Sequence, residues 1–147
     1  MLSNTCKYGI RAILYLARNT KGNEKIGIKK IASDLEIPTP FLGKVLQVLA
    51  RHKLLSSTKG PHGGFGLGKN PAEIKLIDIV EILDGKDVFN VCFIGMGTCD
   101  VHHTSEYYCP IHEQFSPIRQ QIVNIFTTET IAGLLENVDK SGLIIKI

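Results

Sequence analysis

IKKIASDLEIPTPFLGKVLQVLARHKLLSSTKGPHGGFGL, residues 28–67, is the stretch on which the fold turns. Ile28, Ile31, Ala32 and Leu35 recur at helical spacing and mark a short helix that Pro38 stops. Thr39 suits the cap of a further helix and Pro40 its first position, where the N–H that proline lacks would go unpaired anyway. That helix runs to about His52, with Phe41, Leu42, Val45, Leu46 and Leu49 as its buried stripe. Thr39, Gly43, Lys44, Gln47 and Arg51 then face solvent, a polar and basic outer face. Only Glu36, Ile37 and Pro38 join the two helices, so the pair reads as a helix-turn-helix whose second member can enter a major groove.

A hairpin after the second helix separates this pattern from an ordinary pair of helices. Leu54 to Thr58 has the composition of a strand, Phe65 to Leu67 is a second apolar run, and Lys59-Gly60-Pro61-His62-Gly63-Gly64 lies between them. The order helix, helix, hairpin defines a winged helix-turn-helix. Gly63 and Gly64 are expected to take φ > 0 and approach a phosphate closely, with Lys59 supplying charge. A nucleotide-binding P-loop is excluded, because Gly68-Lys69 is followed by Asn70-Pro71 rather than Ser or Thr opening a helix.

Outward from this core the pattern stays helical. Cys6, Ile10, Ile13, Leu14 and Ala17 line one face of a helix from about Asn4 to Arg18, which makes Cys6 a buried small hydrophobe rather than a ligand. Leu76, Ile79, Val80 and Leu83 form a fourth stripe, ended by Asp84-Gly85. Phe115, Ile118, Ile122 and Ile125 have the three-four-three spacing of a coiled-coil seam and point to pairing with a second copy, although Pro117 leaves the start of that helix undefined. A last short helix spans about Thr130 to Glu136. The expected architecture is mainly α with a small β-hairpin: a winged helix-turn-helix over residues 1–85, a cysteine-containing loop over 86–111, and a long dimerisation helix with a C-terminal segment over 112–147.

Composition bounds the function. The chain has 147 residues, 44% hydrophobic and 21% charged, with a net charge of +3, a globular balance that permits an acidic polymer as partner. No apolar run is long enough to span a membrane, and Arg11 interrupts the only signal-like stretch, so a cytoplasmic location is expected. No nucleophile motif and no paired acid and base converge, which argues against an enzyme. Cys92, Cys99 and Cys109 cluster within 18 residues in a segment without sustained periodicity, with His112 just beyond. Three thiolates and an imidazole suit tetrahedral zinc or an iron–sulfur cluster, and the loose spacing of the first two favours the larger group. His102 and His103 are alternative ligands on the same loop.

Taken together, MLSNTCKYGIRAILYLA (1–17), KGPHGGFGL (59–67), IKLIDIVEILDG (74–85) and the three-cysteine loop ending in CPIH (109–112) resemble the Rrf2 family of bacterial transcription regulators over about residues 1–135. The resemblance implies a homodimer of winged helix-turn-helix modules that binds double-stranded DNA at an imperfect palindrome, and a repressor is the expected role. Family members with three cysteines in this loop can hold an iron–sulfur cluster, so the resemblance implies 2Fe–2S or 4Fe–4S here; cysteines that bind zinc, act as a thiol–disulfide switch or have lost cofactor binding are the alternative. By position Cys92, Cys99 and Cys109 match the family's thiolates, and His112 matches the histidine of its iron–sulfur biogenesis branch. The nitric-oxide-sensing branch uses an acidic ligand near the chain start, where Cys6-Lys7-Tyr8 offers no carboxylate. Thr39, Pro40, Lys44 and Gln47 on the reading helix, and Lys59, Pro61, Gly63 and Gly64 on the wing, are the expected DNA contacts. Three departures stand out: a longer Cys99–Cys109 gap, Gly43 where relatives carry a glutamate, and Lys59 where they carry an arginine. Lysine keeps the charge but loses the planar two-pronged grip on guanine.

Overall fold

A computed structural model describes residues 2–94, 97–99 and 109–141, with side chains described as far as Val138. The first helix, α1 (Asn4–Asn19), is capped by Ser3, whose hydroxyl accepts from the Cys6 N–H at 3.1 Å. Its apolar face places Cys6, Ala12, Ile13 and Leu16 fully out of solvent. Next come α2 (Ile28–Leu35) and α3 (Thr39–Arg51). The turn between them is made by Glu36 in the left-handed region (φ 55°), and the Ile37 N–H returns to the Ala32 carbonyl at 3.0 Å. The cap of α3 differs from expectation. Pro38 is the N-cap and Thr39 already helical, with no side-chain capping bond because proline carries no side-chain acceptor, and the Pro38 carbonyl accepts from Phe41 and Leu42 at 3.0 Å.

The hairpin comes directly after α3. β1 (Leu55–Thr58) pairs antiparallel with β2 (Gly64–Leu67), Leu55 opposite Leu67 and Thr58 opposite Gly64. Ile26 adds a bridge to Phe65 on the open side of β2, so the wing is anchored to the segment that enters α2. Further helices frame the core. α4 (Leu76–Leu83) buries Leu76, Ile79 and Val80, and ends in Asp84 before Gly85 at φ 89° and ψ 166°, a positive φ that suits glycine although its ψ is extended rather than that of the expected left-handed cap. α5 (His112–Thr128) runs through Pro117 without a break, which settles its start at His112. α6 (Ile131–Ser141) returns to the first half of the chain: Ile131 is fully buried in the shared core, and a bridge between Lys75 and Thr130 ties its entry to that of α4.

Within the core, Leu42, Leu46 and Leu49 of α3 are fully buried beside Ile13 and Leu16 of α1 and Ile31 of α2. Burial of each such side chain is worth about 1.5–3 kcal/mol, which is what holds α3 at a fixed angle on the surface. Phe41 departs from the expected stripe. It is 56% exposed and meets Tyr8 edge-on at 6.5 Å, because it lies one position off the Leu42–Leu46–Leu49 row.

Candidate functional site

Two surfaces carry the chemistry, and the first is the outer side of α3 with the wing. Pro40, Lys44, Gln47, Lys59 and Pro61 are exposed, while Thr39 is half-buried at the start of α3. Pro40, Lys44 and Gln47 stand on the outer side of α3 because Leu42, Val45, Leu46 and Leu49 turn its opposite face inward. Between α3 and the hairpin lies an open crevice of about 560 Å³, lined by Gln47 and Arg51 from the helix and by Ser57, Thr58, Lys59 and Gly64 from the wing.

The wing glycines depart from expectation. Positive φ falls on Gly60 (108°), and on neither Gly63 nor Gly64. A Cβ on Gly63 would lie 2.3 Å from the Thr58 carbonyl oxygen, and one on Gly64 would lie 2.3 Å from that of Ile26. The close approach that glycine permits there is to the chain's own backbone. The Gly63 N–H donates to the Gly60 carbonyl at 2.9 Å, so that amide is used inside the turn.

A charge signal visible in the sequence becomes meaningful only against this surface. Residues 1–75 hold 13 Lys and Arg against 4 Asp and Glu, a net +9, whereas residues 76–147 hold 4 against 10, a net −6. The overall +3 conceals this polarity, and the summed charge of each half would have revealed it.

The platform beneath α3 is held by residues of α1. Arg11 Nη2 donates to the Leu35 carbonyl at 2.8 Å, placing a cation on the C-terminal end of α2. The Tyr15 hydroxyl donates to Asp34 Oδ2 at 2.5 Å, and Lys30 meets the same oxygen at 3.0 Å. Burial, then the hydrogen bond and charge of Asp34, raise the Tyr15 hydroxyl to about 12. The bond from Tyr15, with help from Lys30, lowers Asp34. Gly9 lets α4 come close, since a Cβ there would lie 2.4 Å from Leu83 Cδ1.

The second surface is the cysteine loop. Val91 and Thr98 form a bridge, the Cys92 N–H donates to the Gly97 carbonyl at 2.7 Å, and the Cys99 N–H donates to the Asn90 carbonyl at 2.5 Å. Cys92 and Cys99 therefore flank one antiparallel bridge, each next to one of its two paired residues. Cys99 Sγ lies 3.0 Å from His112 Nδ1, and the His112 N–H closes a turn onto the Cys109 carbonyl at 3.1 Å. All four cysteines are free thiols; the three of the loop are half-buried, and Cys6 is fully buried. Burial first, and then the Asp84 carboxylate, push the Cys6 thiol up to about 12, which fits its reading as an inert core residue. No group of three metal-ligating side chains converges among the described residues, and the described side-chain contact within the predicted ligand set joins Cys99 to His112. His102 and His103 lie outside the described residues. Soft thiolates with one imidazole are the donor chemistry an iron–sulfur cluster or zinc accepts.

The loop also touches α5. Phe93 stacks on Phe115 with ring centroids 4.8 Å apart, and the Arg119 guanidinium stands 5.2 Å from the same Phe115 ring. On α5, Ile118 and Ile125 are 51% and 55% exposed, and no residue of this 17-residue helix is fully buried. Among the described residues no helix is long and apolar enough to cross a membrane.

Residues 2–137 match the Rrf2 family model, described as an iron-dependent transcriptional regulator. A protein of Aquifex aeolicus named as an HTH-type transcriptional regulator is 31% identical over 97% of this chain and 96% of its own length. The HTH-type transcriptional regulator NsrR of Geobacillus kaustophilus is 27% identical over 92% of this chain and 90% of its own. In fold, the chain is similar to CymR, the global cysteine regulator of B. subtilis, with a TM-score of 0.74 and 22% identity over 93% of this chain and 97% of that one. It is also similar to T. potens IscR, with a TM-score of 0.72 and 21% identity over 98% and 92%.

Proposed function

The chain belongs to the Rrf2 family of DNA-binding transcriptional regulators, and from that premise we propose that it is a homodimeric repressor of palindromic operators whose grip is set by an iron–sulfur cluster at the cysteine loop. The observation that carries the reading is the joint placement of Lys44, Gln47 and Lys59 on the exposed side of α3 and the wing, in the half of the chain with net charge +9. Lys44 and Lys59 set register through phosphates, while Thr39, Pro40 and Gln47 face base edges. Pro61 and the backbone of Gly63 and Gly64 carry the wing against the duplex, with Gly60 providing the turn.

The sensing half rests on the Cys99–His112 pair, with Cys92 seven residues before Cys99 and Cys109 three residues before His112 in the sequence. Cys92, Cys99, Cys109 and His112 would hold the cluster, which when bound supplies a charge responsive to oxidants and iron supply. Residues 1–85 read DNA, 86–111 sense and 112–147 pair the two copies. Phe93 on Phe115 supplies a contact through which the state of the loop reaches the pairing helix. A ligand shifts the reading heads only by as much as it binds two arrangements differently, and a filled against an empty loop meets that condition.

The test is purification without oxygen, visible absorption, metal analysis and DNA binding on one preparation. Thiolate-to-iron absorption bands that vanish in Cys99→Ser and weaken in His112→Ala, together with a change in operator affinity on cluster loss, are expected. Stoichiometric zinc without iron would move the loop to a structural role, and a reversible loss of DNA binding on oxidation without either metal would make it a thiol switch.

A further inference from the structure

The crevice between α3 and the wing gathers polar donors around Ala50, Gly64 and Phe65. Arg51 enters from the last turn of α3; Ser57, Thr58 and Lys59 enter from the end of β1 and the turn after it. No acidic side chain is among its lining residues. From this we infer that the crevice seats a backbone phosphate of the DNA, clamped by the Arg51 guanidinium and Lys59 ammonium and completed by the Ser57 and Thr58 hydroxyls, so that Arg51 positions the wing relative to the reading helix. The inference rests on the DNA-binding reading and adds a subsite to it.

Three observations converge on this occupant. Arg51 and Lys59 both line this one hollow and no acidic residue lines it, so a bound anion would offset the repulsion of two cations brought together there. Arg51 is exposed, and no ion pair of its own is found among the described residues. Ser57 and Thr58 are exposed on β1, whereas the neighbouring Ser56 is half-buried and committed to the Leu67 carbonyl at 2.9 Å and to Lys25. Hydroxyls exposed on a strand beside two cations are neutral donors for a phosphodiester oxygen, which accepts several bonds at once. The scaffold behind the crevice is rigid: Leu46 and Leu49 lock α3, and the Ile26–Phe65 bridge locks β2, so the spacing between helix and wing is preset. Presetting that gap lowers the ordering cost of binding.

The experiment is binding of the full-length protein to a labelled, mixed-sequence DNA duplex by fluorescence anisotropy, over about 50–200 mM salt. Arg51→Gln is expected to weaken binding about tenfold and to reduce the salt slope by about one, equally across duplex sequences. Arg51→Lys keeps the slope and loses only part of the affinity, because charge is kept and the forked geometry is not. The double variant Ser57→Ala with Thr58→Ala loses affinity with the slope unchanged, since neutral donors release no counterions. Thermal melts of all three variants should match the parent, because each altered side chain is exposed. Arg51→Gln with unchanged affinity and slope, while Lys44→Ala lowers both, overturns the phosphate seat and leaves the DNA-binding reading standing. A parent protein that binds no duplex in any cofactor state overturns both.

Discussion

At the scale of single residues, the hydroxyl of Tyr15 and the thiol of Cys6 show how the reading platform is fastened. Each is held protonated in the fold, Cys6 from 9.0 to about 12 and Tyr15 from 10.0 to about 12. Below about pH 9 both are protonated in the folded and unfolded chains, and their contribution to stability is intact. Between pH 9 and 12 the unfolded chain loses these protons while the folded chain keeps them, so stability falls as pH rises. Asp34 works in the other direction, since its lowered value lends stability that disappears as pH falls through it. Thermal melts from about pH 8 to about pH 11 should therefore fall more steeply for the parent than for Tyr15→Phe, and Tyr15→Phe should also lose the acid-side contribution of Asp34. Identical slopes in the two proteins would remove Tyr15 from the account. The periodicity placed Cys6 on the buried face of its helix, but the tie between Tyr15 and Asp34 joins two helices and has no trace in local sequence.

At the scale of elements, helix spacing was legible and helix contact was not. The stripes of α1, α3 and α4 arise from apolar residues at helical intervals, and the boundaries fall within a few residues of those expected. Phe41 shows where the reading fails. An apolar residue beside a stripe counts toward it in one dimension, while the packed helix turns it out against Tyr8. Gly63 and Gly64 show the same limit, because their crowding comes from Thr58 and Ile26, and the Ile26 contact crosses the sheet to a separate segment. Gly9 permits the close crossing of α1 and α4. Gly9→Ala should destabilise the fold by about 1 kcal/mol or less, because displacement of the Leu83 side-chain end is offset by the helix propensity that alanine gains over glycine. Adding Leu83→Ala to it should cost less than the sum of the two single changes in a denaturant titration. Strict additivity would show that the methyl group finds room elsewhere.

At the scale of the whole molecule, the exposed stripe of α5 is an unfinished surface. Ile118 and Ile125 stand two helical turns apart with about half of each side chain in solvent, on a helix without a fully buried residue, whereas Ile131 of the next helix is buried completely. Replacing Ile118 and Ile125 by Ser should convert the proposed dimer to a monomer in sedimentation velocity, leave the thermal melt of the separate chain little changed, and weaken binding to a two-half-site duplex far more than to a single half-site. A parent protein that sediments as a monomer at micromolar concentration would overturn the pairing. Local sequence by itself determined the order of helices and hairpin, the outward face of α3 and the thiol-rich loop, because side-chain periodicity and turn chemistry act over a few neighbouring residues. Only the tertiary structure decided that Cys99 meets His112, that α6 comes back to complete the core, and that helix and wing enclose a crevice. Those contacts join residues far apart in the chain, and their geometry is set by how buried faces pack against one another.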